Sequence, residues 1–367
     1  MSTQKVAKTV NPIRWGIIGC GDVCEIKSGP AFYKCQNSSL TAVMRRNKEK
    51  VQDYAQRHDV PKYYTNVDDI IWDLEVDCLY VATPPGGDRV EIAEKIAKAG
   101  KPCYMEKPLG RDYQESLEIV KSFQDAGIPL YVAFYRRYMP KFVTVREEVL
   151  DCNLLGDITG VSVTLNWPRH LEEKHHWHYK KEISGGGLLL DVGCHMLDIV
   201  DHMVGPILDC QGIALQSIQN QGFIYEGVED NVRGFWKHKL GDNRIISGTC
   251  SFNFCAGGEL LDEVKIIGTK GTVSFSCFDS KPAKVELENE TKILNAPHPD
   301  HVHQPLVQCI TDELINARDH DDDSKFWTSI IESNEGNCAC TGAAGSRTSK
   351  VMDQLLNNRQ SWKDDYL

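Results

Sequence analysis

The first 135 residues alternate short apolar runs with amphipathic helical patterns, and that alternation limits the possible folds more than any other feature. The runs are IRWGIIG (13–19), LTAVMR (40–45), DCLYVAT (77–83), KPCYME (101–106) and IPLYVAF (128–134). Runs this short, rich in branched and aromatic side chains, suit strands buried on both faces. Between them, DRVEIAEKIAKAG sets Val90, Ala93, Ile96 and Ala97 on one helical face and closes at Gly100. DYQESLEIVKSFQDAG repeats the design and closes at Gly127. A glycine just past the last turn accepts the left-handed conformation that ends a helix. The alternation predicts an α/β fold, with a doubly wound parallel sheet of Rossmann type over residues 1–135.

From residue 136 the pattern changes. A helix over about 140–151 precedes GDITGVSVTLNW, and later strand-like runs include GVEDNVRGFWKH, RIISGTCSFNF, EVKIIGTKGTVSFS and KVELEN. They predict a second α/β domain, 136–367, built on a large open, mainly antiparallel sheet. Helical periodicity returns from His301, and these last helices are expected to pack back on the first domain. The acidic RDHDDDSK (318–325) reads as a solvated loop.

Composition excludes some partners. A formal net charge of -11 and a pI near 5.6 argue against a nucleic-acid footprint. No run approaches a membrane span, and the N-terminus lacks an uninterrupted apolar core and small-residue cleavage site. A cytoplasmic protein is therefore expected. The 14 cysteines are scattered without CxxC spacing, as expected of small buried thiols in a reducing compartment.

Two stretches carry candidate chemistry. GIIGCGDVC contains Gly19-x-Gly21-x-x-Cys24 between a predicted strand and a predicted helix, with Asp22 and Val23 in the turn. In that context the glycines let the backbone approach a pyrophosphate at a helix N-terminus. At the end of the second strand an NAD-binding chain usually carries an acid for the ribose hydroxyls, but here Arg45 and Arg46 stand in AVMRRNKEK. Two guanidinium groups suit a 2′-phosphate, so NADP is expected in preference to NAD. The second stretch is SGGGLLLDVGCHMLDIVDHMVG, where Asp191, His195, Asp198 and His202 fall at helical spacing on one face. Asp198 and His202 lie two turns beyond Asp191 and are expected to be structural.

The glycine turn, ATPPGGD…AGKPCYMEKPLG (82–110) and the Asp-x-Gly-x-His segment together resemble the glucose–fructose oxidoreductase / inositol dehydrogenase / rhizopine-catabolism family, Gfo/Idh/MocA. The resemblance covers nearly the whole chain. It implies a catalytic lysine at Lys107 and a helix-borne pair at Asp191 and His195. Thr83, Pro84 and Pro85 match a loop along the cofactor, and Glu106 a residue near the nicotinamide ribose. Arg136 and Arg137 match a segment bordering the substrate cleft. Asp88 departs from the histidine that many relatives carry there. The resemblance also implies a homodimer or homotetramer formed through the outer face of the second sheet, and often a cis bond before Pro108.

These residue types suit alcohol oxidation without the family. A histidine with an ordinary pKa of about 6.5 exchanges a hydroxyl proton near neutrality, which His195 could do. Lys107 can stabilise developing alkoxide charge, and Asp191 can orient the imidazole or pair with the lysine. HHWHYKK (175–181) looks like a metal site but lacks a placed acid, and HPDHVHQ (298–304), with a similar look, sits at a predicted helix entrance, so no metal is expected, and Trp177 and His178 are instead assigned to the cleft. The expected activity is hydride transfer to or from a sugar, polyol or related cyclic alcohol or ketone. The alternatives are a redox-assisted glycosidase with bound nicotinamide and a non-catalytic dinucleotide sensor.

Overall fold

The computed structural model describes residues 11–168, 177–217, 228–318 and 338–357. His175, His176 and most of the acidic 318–325 stretch lie outside the described residues.

The first sheet holds six parallel strands in the order β3-β2-β1-β4-β5-β6. They are β1 (Ile13–Ile18), β2 (Ser38–Met44), β3 (Lys62–Tyr64), β4 (Cys78–Val81), β5 (Cys103–Met105) and β6 (Leu130–Val132). Five correspond to the apolar runs. β3 was missed because three half-exposed or exposed residues at a sheet edge leave no apolar run to read. The order reverses direction at β1 and β4, and the cleft outside their carboxyl ends is where such sheets bind ligands.

The helices follow their sequence signals closely. Asp112 caps Tyr113–Ala126 by accepting from the Glu115 amide, and Gly127 ends it in the left-handed region at φ 67°. The expected helix after the glycine turn is a correction. Only two single turns form, Val23–Ile26 and Ala31–Lys34, with Pro30 between them unable to donate a helical hydrogen bond.

The second sheet has eight strands in the order β14-β13-β12-β11-β7-β10-β9-β8. These are β7 (Ile158–Pro168), β8 (Ile207–Leu215), β9 (Asn231–Lys239), β10 (Ile245–Ala256), β11 (Leu261–Gly268), β12 (Gly271–Phe275), β13 (Ala283–Leu287) and β14 (Thr291–Leu294). All its neighbours run antiparallel except β10 beside β7. Alternation along β10 puts Ile246, Cys250, Phe252 and Phe254 inside and leaves Ile245 exposed.

The helix Gly342–Leu356 ties the two sheets together. Its Ser349 accepts from Ser116 of the first region, Asp353 accepts from the Tyr113 amide, and Leu355 packs fully buried near Gly212 and Gly234 of β8 and β9. The segment Lys181–Val204 is also apolar and long enough to cross a membrane, contrary to the sequence expectation. Most of that apolar stretch, 78%, is buried within the protein, as in a core helix.

Candidate active site

The cofactor end is built where β1, β2 and β4 finish together. The Gly19 and Cys20 amides both donate to the Met44 carbonyl, so the glycine turn lies against the end of β2. Gly19 sits at φ 87°, and a Cβ there would stand 3.0 Å from the Thr83 methyl. Only glycine satisfies both the angle and the approach. Thr83 Oγ1, next to this turn, is buried and has no hydrogen-bond partner among the described residues. An orphaned hydroxyl beside an open glycine turn fits a dinucleotide. Arg45 donates to the Cys20 carbonyl at 3.2 Å, Arg46 is exposed, and neither forms an ion pair among the described residues. Asp22 is exposed and Val23 packs half-buried on the core. Cys24, where a third glycine or alanine was expected, is fully buried, and burial pushes its thiol pKa up.

Lys107 projects from the turn after β5, and its peptide bond to Pro108 is cis. Its Nζ donates to Asp191 Oδ1 at 2.7 Å and to the Asp191 carbonyl at 2.8 Å. The partner residue comes from the Leu189–Gly193 turn, entered through Gly185 at φ 81°. A Cβ on Gly185 would strike the Arg111 carbonyl, so only glycine lets this chain lie against the Lys107 loop. Asp191 Oδ2 faces His178 Nε2 at 3.4 Å. Burial works against charge in both members of the pair. For Lys107 the negative charges of Asp191, Cys194 and Glu106 outweigh it and raise the pKa. For Asp191 the charges of Lys107 and His178 outweigh it and bring the pKa down to about 2.

His195 does not share a straight polar stripe with Asp191. Leu189–Gly193 is a π-turn running into the α-helix Cys194–Val204, and its extra residue per turn rotates the face between the two. Asp191 therefore stays a quarter exposed beside Lys107, while His195 is 5% exposed and T-shaped against Tyr135. Its Nδ1 has no hydrogen-bond partner among the described residues. Burial, then the charges of Arg136 and Lys107, push its pKa well below the ordinary 6.5, so the ring is neutral at pH 7. The ordinary pKa expected from sequence is thus corrected. The imidazole is held as a base and destabilised as an imidazolium.

Arg136 and Arg137 separate completely. The Arg136 guanidinium lies 5.0 Å from the Tyr135 ring centroid and 4.6 Å from that of Phe278, the two rings that also flank His195. Arg137, expected at the cleft, is instead sealed against Asp198 at 2.6 and 2.9 Å and donates to the Ala339 carbonyl. It is a structural ion pair, and a doubled Arg-Arg in sequence gave no means of telling the two apart. Asp198 and His202 are structural as expected, the latter meeting Arg146 at 2.9 Å.

The remaining assigned residues border this centre. Pro84 is half-buried and Pro85 buried in a loop whose Gly86 amide donates to the Ile183 carbonyl. Glu106 is buried and accepts from the Tyr80 hydroxyl at 2.6 Å, so it faces inward from the Lys107 corner. The rings of Trp177 and His178 lie tilted against each other with centroids 3.7 Å apart.

Sequence reasoning missed His303 and Arg89. His303 is 1% exposed, meets the Tyr104 hydroxyl at 2.7 Å and lies 3.6 Å from Glu106. Its signal was there, a histidine just before the helix Gln304–Arg318, but HPDHVHQ, once set aside as a metal site, is expected to be no more than an ordinary helix entrance. No metal-holding cluster occurs among the described residues. Arg89 shares the buried face of Ile92, Ala93 and Ile96, a spacing that was legible but was counted from Val90.

Comparison with known proteins fits this architecture. Residues 13–134 match the model of an oxidoreductase family with an NAD-binding Rossmann fold, and residues 142–274 match a GFO/IDH/MocA C-terminal domain. Oxidoreductase P35 of Formosa agariphila is 34% identical over 81% of this chain and 89% of its own. The trans-1,2-dihydrobenzene-1,2-diol dehydrogenase of Xenopus laevis is 24% identical over 78% and 82%. Among solved structures, the aldose-aldose oxidoreductase of Caulobacter crescentus superposes with a TM-score of 0.76 at 19% identity, over 95% of this chain and 98% of that one. The glycine turn, the Lys107 corner and the second sheet therefore belong to a member of the Gfo/Idh/MocA family of NAD(P)-dependent dehydrogenases and reductases.

Proposed function

We propose that this enzyme moves a hydride between NADP and a sugar, polyol or related cyclic alcohol or ketone, with Lys107, Asp191 and His195 as its catalytic residues. One observation carries the reading: Lys107, held by Asp191, lies close enough for its charge to act on a buried, neutral His195 whose Nδ1 has no hydrogen-bond partner among the described residues. Bound nicotinamide supplies or accepts the hydride. The Lys107 ammonium donates to the reacting oxygen and stabilises its developing negative charge. Asp191 holds that ammonium by Oδ1 and keeps it protonated. His195 takes the hydroxyl proton during oxidation and returns it during reduction. Tyr135, Phe278 and Phe134 surround the imidazole and exclude water from it. The dihydrodiol dehydrogenase and the aldose-aldose oxidoreductase support an alcohol or carbonyl substrate by analogy.

Arg45, which donates to the Cys20 carbonyl of the glycine turn, and the exposed Arg46 that follows it support NADP, because neither is paired with an acid among the described residues. We assign a homo-oligomer to the exposed face of the second sheet, where Ile213, Phe235 and Ile245 are each more than half exposed. Light scattering on a Phe235→Glu variant tests that assignment.

The functional test mixes the protein with NADP+ or NAD+ and a panel of sugars, polyols and anhydrosugars, following reduced nicotinamide by absorbance. Turnover with NADP+ that vanishes in Lys107→Met is the expected result. Replacing Arg45 and Arg46 by alanine should raise the KM for NADP+ by about tenfold or more and leave NAD+ nearly unaffected, since charge-assisted hydrogen bonds are lost. Cofactor-dependent glycoside cleavage without net reduction would replace this reading with the glycosidase.

A further inference from the structure

The chain carries a buried guanidinium that the reaction scheme above leaves unused. Arg89 is 1% exposed at the start of the helix Arg89–Lys98, and no acid forms an ion pair with it among the described residues. Its Nη1 instead donates to three backbone carbonyls of one corner, those of Glu106 at 2.9 Å, Pro108 at 2.5 Å and Leu109 at 3.3 Å. Those carbonyls bracket Lys107 on both sides. Burying an arginine without a carboxylate is costly, and burial lowers its pKa to about 10. Carbonyls gathered from such a corner would otherwise lack donors in the interior.

We propose that Arg89 is a positioning residue for hydride transfer. Its guanidinium clasps the Glu106–Leu109 corner and so fixes the point from which Lys107 reaches Asp191 and the reacting oxygen. A neutral side chain of similar length fills the volume but gathers no carbonyls. A lysine keeps the charge, but its nitrogen ends one bond short of the Nη1 position that meets the three carbonyls. The corner then relaxes, and the Lys107–Asp191 contact loosens with it.

The inference rests on Lys107 acting in the site, so its test has one arm that needs no turnover. Full-length Arg89→Lys and Arg89→Met would first be checked for folding by circular dichroism. Lys107 would then be labelled with acetic anhydride and its modification rate read by peptide mass spectrometry. A lysine held by Asp191 reacts slowly, and severalfold faster labelling in both variants is expected. In the activity arm, kcat should fall about 10- to 100-fold in Arg89→Met, less in Arg89→Lys, with the KM for cofactor little changed, because small misplacements of a reacting group carry penalties of that order. A merely structural Arg89 would lower thermal stability and leave both kcat and Lys107 labelling unchanged. That outcome overturns the proposal. Should Arg89→Met fail to fold, Arg89→Lys alone decides by the same two readouts. Wild-type protein that transfers no hydride would sink the proposed function, while the labelling arm would still accept or reject the clasp.

Discussion

Two ion pairs whose acids, Asp191 and Asp198, lie seven residues apart on the same helical segment do opposite things. Arg137 and Asp198 are 2% and 1% exposed, bridged through two guanidinium nitrogens, and saturated further by Ala339 and Thr348. Lys107 and Asp191 are 12% and 26% exposed, and the cation there is an ammonium whose Nζ is a single point. The first pair has no valence left for a ligand. The second keeps an open side and a cation that can turn from one oxygen to another. Sealing makes an ion pair a fastener, and partial exposure makes it usable chemistry.

The comparison fails if the two pairs respond alike to loss of the cation. Lys107→Met should cut kcat/KM by about 10²–10⁴, the range for a proton-handling group, with only a small change in melting temperature. Steady-state kinetics beside calorimetry reads both. Arg137→Met should do the reverse. It strands Asp198 in the interior and should destabilise the fold by about 3–5 kcal/mol in urea titration, while surviving folded molecules keep their cofactor affinity.

A pH series sharpens the contrast. His195, His303 and His202 are all held below the ordinary 6.5 by burial, His202 down to about 3. The unfolded chain takes up protons below pH 6.5 that the folded chain does not, so stability is full above 6.5 and falls as pH drops. Each such histidine contributes about 1.4 kcal/mol per pH unit across that window. His202→Asn should flatten the fall between pH 6.5 and 5 by roughly one histidine's share. Glu106, raised by burial, works against this trend, and Asp191 enters only between pH 3.8 and about 2. The smallest effect belongs to Thr348→Val, which removes one hydrogen bond to Asp198 and should cost about 1 kcal/mol with activity unchanged.

Much of this molecule was written in local patterns. Five of six parallel strands, the helix caps at Asp112 and Gly127, and the glycine turn follow from residues whose conformational preferences act within a few positions. The Lys107, Asp191 and His195 candidates were legible as motifs, and Lys107 and Asp191 do meet. What the pattern misjudged depended on neighbours far along the chain. Arg136 and Arg137 look equivalent in sequence, yet one meets Phe278 and the other Asp198, partners 142 and 61 residues away. The polar row from Asp191 to His202 was broken by a π-turn that helical spacing does not announce. His195 owes its neutral state to burial and to the charge of Arg136, and Arg89 finds its three carbonyls only when β5 and its turn lie beside the helix Arg89–Lys98. Backbone preference is short-ranged and can be read from one residue to the next. Burial and electrostatics depend on which segments are brought together, and that was decided only by the tertiary structure.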